Sequence, residues 1–160
     1  MYANHGALKK HAHEMEGINS RLDTLQAAIL NVKLPHIHEW NQKRRANAAV
    51  YTQLLGAMNL PLRLPLVREN TEHTFHLYVV QTPLRNELKS FLEAHGVQAA
   101  IHYPTALPNL KAYEYLGHQP SEFPVANIWQ QQSLSLPMYP ELTTEEIEYV
   151  CDKIRKFFAA

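Results

Sequence analysis

The sequence predicts an α+β protein, a long N-terminal helical arm followed by a small αβ domain. Three observations predict it. Apolar residues recur at helical spacing through 22–55, ahead of any β-rich run. Short runs of aromatic and β-branched residues, "FHLYVVQ" at 75–81 and "VQAAIHY" at 97–103, then alternate with amphipathic stretches. The chain closes on a capping signal and one apolar stripe, "TTEEIEYVCDKIRKFF" at 143–158. Residues 1–56 are read as the arm and its bridging helices, and 57–160 as the small domain, whose alternating strands and helices also suit an α/β arrangement around a small sheet.

Residues 1–16 are polar and rich in histidine, without a clear period, and read as an arm or loop. Ser20 is the expected N-cap of the first helix, with Asp23 three residues on as the second half of a capping box. Leu22, Leu25, Ile29 and Val32 then form one apolar face, and replacing Leu25 by Ala should cost about 2–5 kcal/mol if that face is buried. Pro35 removes a helical hydrogen bond and predicts a kink or break. A second helix over 36–55 carries Ile37, Trp40, Tyr51 and Leu55, with Gly56 at its stop. Pro61 and Pro65 mark 57–71 as a loop, and 75–81 is the first strand. Leu84, Leu88, Phe91 and Leu92 define a helix over 84–95, closed by Gly96. The second strand, 97–103, ends at Pro104. Short helices follow over 109–116, before Gly117, and over about 124–133, and "SLSLP" at 133–137 is a third short strand. In the last helix Thr143 and Glu146 form a capping box, and Ile147, Val150, Ile154 and Phe157 share one face.

Bulk composition narrows the function classes. A chain of 160 residues can bury a sizeable core without disulfides or metal. Lysine plus arginine equals aspartate plus glutamate at 15 each, which argues against a nucleic-acid binder. The N-terminal residues lack the apolar core of a signal peptide, and no apolar run reaches membrane-spanning length, so a cytoplasmic protein with no membrane partner is expected. Histidine pairs at 11/13, 36/38 and 73/76 fit no metal motif, and no metal site is expected. Cys151 reads as a buried structural thiol. No nucleophile elbow, P-loop or dinucleotide glycine motif is present.

Two places hold candidate chemistry. Asn19, Ser20 and Arg21 stand at a predicted helix N-terminus, whose free N–H groups and partial positive charge suit an anion such as a phosphate. The alternative is a simple cap beside a solvated arginine. His102 and Tyr103, at the end of a predicted strand, supply a proton-transfer or hydrogen-bonding group and a phenol for a ligand hydroxyl, or else a packed pair at a strand end.

Seven ordered motifs carry a resemblance over nearly the whole chain: "NHG" at 4–6, "GINSRLDTLQAAIL" at 17–30, "HLYVV" at 76–80, "IHYPTALP" at 101–108, "YLG" at 115–117, "FPVA" at 123–126 and "LSLPMYPELT" at 134–143. The chain resembles the C-terminal part of the DegT/DnrJ/EryC1/StrS aminotransferases. The resemblance implies the small C-terminal domain of the type I fold, a dimer, and pyridoxal 5'-phosphate as the cofactor for aminating nucleotide-linked keto sugars. It also implies that Asn19 reaches across a dimer interface to the cofactor phosphate, framed by Ser20 and Arg21, and that His102 and Tyr103 bind substrate.

The family's catalytic lysine lies in a Ser/Thr-x-x-x-Lys segment upstream of "NHG", and this sequence starts just before that motif. No catalytic residue is therefore assigned. The chain's own lysines sit in polar contexts or on predicted helix surfaces, unlike an amine activated in a desolvated pocket. Met1 is read as an internal start of a longer ancestral gene or as a fragment boundary. The chain is expected to be inactive alone and to bind no cofactor covalently. The alternative is a non-catalytic module that homo-oligomerises or complements a separately encoded N-terminal half.

Overall fold

A computed structural model describes residues 1–9, 12–20 and 22–159. They form two compact units, Met1–His38 and Glu39–Ala160.

The first unit is held together by its backbone. The expected loop over 1–16 contains a small antiparallel hairpin, β1 (Ala7–Lys9) with β2 (Ala12–His13). Residues 17–20 are extended beside 2–5. His5 N–H donates to Ile18 O at 2.9 Å, Ile18 N–H to Tyr2 O at 2.8 Å and Ser20 N–H to Ala3 O at 2.9 Å. These bonds explain a correction to the sequence reading. Ser20 is tied into an extended pairing and cannot open the helix, so Asp23 caps α1 (Thr24–Lys33) instead. Asp23 N–H donates to Gln26 Oε1 at 3.3 Å, the return half of a capping box. Two glycines make the crossing of 5–6 with 15–17 feasible. A Cβ on Gly6, which has φ +72°, would meet Met15 O at 1.7 Å, and one on Gly17 would meet Gly6 N at 2.1 Å.

The apolar face of α1 is exposed. No residue of α1 is buried, and Leu22, Leu25, Ile29 and Val32 are all more than half exposed. Helical spacing identifies such a face but not its partner, and among the described residues of Met1–His38 no element covers it. Pro35 sits in a 3₁₀ turn, Leu34–His36, between α1 and α2 (Ile37–Gly56), which is the expected break.

The second unit has a conventional core. Strand β3 (Tyr78–Gln81) pairs antiparallel with β4 (Ser133–Leu136), from Tyr78 opposite Leu136 to Gln81 opposite Ser133. The first of these is shorter than the predicted 75–81. Residues 97–103 do not form the expected second strand. They contribute one bridge, Ala100 to Ser135, because the segment meets the sheet only at the free edge of β4. Arg63 makes the matching bridge to Gln81 on the edge of β3.

Alternation divides the strands into two faces. Tyr78, Val80, Leu134 and Leu136 point inward and are buried against Tyr51 and Leu55 of α2, Leu88 and Leu92 of α3 (Arg85–Ala94), and Ile147, Val150, Cys151 and Ile154 of α5 (Thr144–Ala159). Tyr51 and Tyr78 stack at 4.9 Å. Their hydroxyls are satisfied: Tyr51 donates to Pro137 O at 3.1 Å, and Tyr78 shares a 2.9 Å bond with Thr52 Oγ1. Arg44 Nη1 and Asn47 Nδ2 of α2 donate to Met138 O and Tyr139 O, both at 3.0 Å, and so fasten the helix to the segment after β4. The capping box of α5 forms as expected, with Thr143 N–H to Glu146 Oε2 at 2.8 Å and Glu146 N–H to Thr143 Oγ1 at 3.2 Å. The helix expected over 109–116 is 3₁₀, Lys111–Leu116, ended by Gly117 at φ +68°. Helix α4 (Pro124–Gln132) precedes β4 and packs on β3.

Candidate functional site

The outer face of the small sheet is polar, set by the Ser-Leu-Ser-Leu alternation of β4 and by Gln81 on β3. Ser133, Ser135 and Gln81 are nonetheless all buried. Ser135 Oγ lies 2.9 Å from His102 Nδ1, which fixes the ring and leaves Nε2 as its remaining hydrogen-bonding atom. Tyr103 follows, 74% exposed, with its ring edge-on to His102 at 5.6 Å.

His102, Tyr103 and Ser133 border a cleft of about 680 Å³. Its far wall is Leu107 and Pro108, and its other side is Trp129 of α4. An amide network holds the far wall in place. Gln130 Oε1 accepts from Ala106 N–H at 2.7 Å and from Asn109 Nδ2 at 3.1 Å, and Asn109 Nδ2 also donates to Asn127 Oδ1 at 2.6 Å. The sequence reading named His102 and Tyr103, and the structure brings both to this cleft. It missed Trp129 and Ser133. The alternation of "SLSL" was the available signal for Ser133, since it puts positions 133 and 135 on one face.

Asn19 and Ser20 lie in the first unit, where Asn19 forms an isolated bridge with Asn4. Arg21 lies outside the described residues, as do Lys10 and His11. The helix terminus beside Asn19 and Ser20 is occupied by the Asp23 carboxylate, so the N-terminus of α1 offers an anion less than Ser20 capping would have done.

Among the described residues no lysine borders the His102 cleft. Lys43 is paired with Glu39 at 2.7 Å, and the hydrogen bond to that carboxylate holds its pKa above the usual lysine value, opposite to what a nucleophilic amine needs. Lys89 is tied to Glu93, Lys156 to Asp152, and Lys153 lies over the Tyr149 ring at 4.7 Å. Among the described residues no three histidine, cysteine, aspartate or glutamate side chains converge as a metal site, and no helix is long and apolar enough to cross a membrane.

Comparison with known proteins gives this geometry a setting. The profile of the DegT/DnrJ/EryC1/StrS aminotransferase family matches residues 1–155. The chain is 40% identical over 155 residues to a pleiotropic regulatory protein of Geobacillus stearothermophilus, spanning 96% of this chain and 42% of that one. It is 39% identical over 160 residues to the dTDP-3-amino-3,4,6-trideoxy-alpha-D-glucose transaminase of Streptomyces venezuelae, spanning 98% of this chain and 41% of that enzyme. Among solved structures, S. venezuelae DesV in complex with a ketimine intermediate superposes with a TM-score of 0.89 at 36% identity, over 100% of this chain and 43% of that one. The chain therefore spans about two fifths of the length of the relatives it matches, and it corresponds to their C-terminal part.

Proposed function

Since the chain belongs to the DegT/DnrJ/EryC1/StrS aminotransferase family, we propose that these residues supply the C-terminal portion of a sugar aminotransferase. They would work with a lysine-bearing segment that either precedes them on the same polypeptide or sits on a separate one. The observation that carries this reading is the pairing of a family match along residues 1–155 with a cleft that no lysine borders. When bound, pyridoxal 5'-phosphate carries the amino group between a donor and a keto sugar.

In this reading the chain's own residues bind and orient. Asn19 contacts the cofactor phosphate of a neighbouring subunit, with Ser20 and Arg21 framing the approach. His102 and Tyr103 contact a nucleotide-linked sugar, and the Ser135 bond keeps His102 Nε2 available to a substrate hydroxyl or carbonyl. The dimer, the cytoplasmic setting and the nucleotide-linked substrate belong to this proposal.

The test is direct. The purified 160-residue chain is mixed with pyridoxal 5'-phosphate, reduced with borohydride and mapped by mass spectrometry. Scattered, substoichiometric labelling is expected. One stoichiometric lysine in a chain that turns over an amino donor would overturn the reading. Co-expression with the lysine-bearing N-terminal part of the S. venezuelae transaminase should then restore aminotransfer, and Asn19→Ala should weaken cofactor retention in that complex.

The exposed face of α1 favours a second reading, a non-catalytic homo-oligomeric module. Leu25, Ile29, Leu30 and Val32 of α1, and Leu22 just before it, are each more than half exposed. A mass measurement in solution decides: association is expected, and a well-folded monomer at high concentration would remove this reading.

A further inference from the structure

A second cavity, of about 350 Å³, lies at the β3 edge of the small sheet, where Arg63 bridges to Gln81. Arg63 N–H donates to Gln81 O at 2.8 Å and Gln81 N–H to Arg63 O at 2.9 Å, so the two residues face each other as a bonded antiparallel pair. Their side chains therefore stand side by side on one face of the sheet. Both border the cavity, together with Gln132 at the end of α4.

Two observations point to a ligand. Gln81 is only 6% exposed, and its Nε2 has no hydrogen-bond partner among the described residues. A buried amide left in this way costs free energy, which an acceptor on a ligand would recover. The last side-chain torsion of glutamine is soft, so a small rotation brings that nitrogen to the cavity. Independently, the Arg63 guanidinium makes no ion pair among the described residues. No residue lining the cavity is acidic, so its charge is not answered there by the protein.

The lining restricts the ligand. A guanidinium fork and a neighbouring amide N–H match the two oxygens of a carboxylate. A phosphate ester carries up to about two negative charges, and one arginine would leave the second unpaired beside apolar walls. Those walls come from Pro61 and Pro83 and from Val125, Ile128 and Trp129, which share one face of α4 at helical spacing. They suit a flat apolar body.

We propose that this cavity binds a small monocarboxylate with a flat apolar body. Its carboxylate is held by the Arg63 guanidinium and the Gln81 amide, and its body lies against Ile128 and Trp129. The inference goes beyond the aminotransferase reading, in which Arg63 and Gln81 have no part.

The experiment uses the ¹⁵N-labelled 160-residue chain and three probes: 3-phenylpropionate, its neutral isostere 3-phenylpropionamide, and succinate, which is charged but lacks the apolar body. The side-chain amide resonances of Gln81 and Gln132 are followed, assigned with Gln81→Met and Gln132→Ala, and the Trp40 indole serves as internal control. Phenylpropionate should shift both amides saturably and leave Trp40 unmoved, while the other two probes should bind about ten-fold more weakly or not at all. Arg63→Gln should weaken phenylpropionate about ten-fold or more, the loss of one charge-assisted pair. Its β3 and β4 backbone resonances should stay in place, because the bridge to Gln81 is made by backbone atoms. Ile128→Glu, at a half-exposed position, should abolish the response by setting a second carboxylate beside the first. Unmoved glutamine amides, an equal response to the neutral amide or to succinate, or unchanged binding by folded Arg63→Gln or Ile128→Glu would each overturn the inference. Because the readout needs no aminotransfer, its failure leaves the wider functional reading untouched.

Discussion

Leu25 and Leu88 are the same residue on two helices of ten residues, α1 and α3, and their surroundings are opposite. Leu88 is wholly buried, with Leu92 one turn on and the inner face of the sheet beneath. Leu25 is 74% exposed. The Glu39–Ala160 unit closes its own core from helices on one side of two strands. The Met1–His38 unit is organised by backbone hydrogen bonds and glycine crossings, and it leaves its apolar helix face uncovered. An amphipathic stripe thus reports that a helix was shaped to be covered. Whether it is covered depends on elements elsewhere.

Leu88→Ala should show the contrast most strongly, with a loss of about 2–5 kcal/mol in the denaturant unfolding of the second unit. A loss under about 1 kcal/mol would mean that this core is looser than its burial indicates. Gly17→Ala attacks the other unit at its crossing. The new Cβ would sit 2.1 Å from Gly6 N, so the amides of His5, Glu14 and Ile18 should lose hydrogen-exchange protection while those of β3 and β4 keep theirs. We expect a local cost of about 1–3 kcal/mol.

Alkaline pH should separate the units again. Burial pushes the Cys151 thiol up to about 12 and raises the Tyr51 phenol further, each favouring the neutral form in the folded state. Between the unfolded and folded values the native state binds more protons, so stability is full below the unfolded thiol pKa and falls as pH rises above it. The second unit should lose up to about 1.4 kcal/mol per pH unit for each such group, and Cys151→Ala should flatten the slope. The first unit has neither residue. The smallest effect belongs to Leu25→Ala, within about 0.5 kcal/mol on thermal melting of the chain alone. If copies pair through α1, the same substitution should instead weaken self-association in sedimentation.

Local signals were legible where they determine local structure. The capping box at Thr143 and Glu146, the break at Pro35 and the alternation of β4 all lie within a few residues of the groups they organise. The first helix start was misplaced because Ser20 and Asp23 both suit a cap, and only the long-range bonds from 2–5 to 17–20 choose between them. Residues 97–103 carry strand-like residues, yet they reach the sheet only at one edge. His102 and Tyr103 were legible as a strand-end pair. Trp129 was not, since its place beside them follows from how α4 turns directly into β4.

That direct turn has a consequence for the order of synthesis. The residues that pair with β3 are made about fifty positions after it, and closing so large a loop delays the ladder until β4 has been made. Until then the inward side chains of Tyr78 and Val80 have no sheet partner, so a nascent chain halted before Ser133 would present sticky, half-built protein to its neighbours.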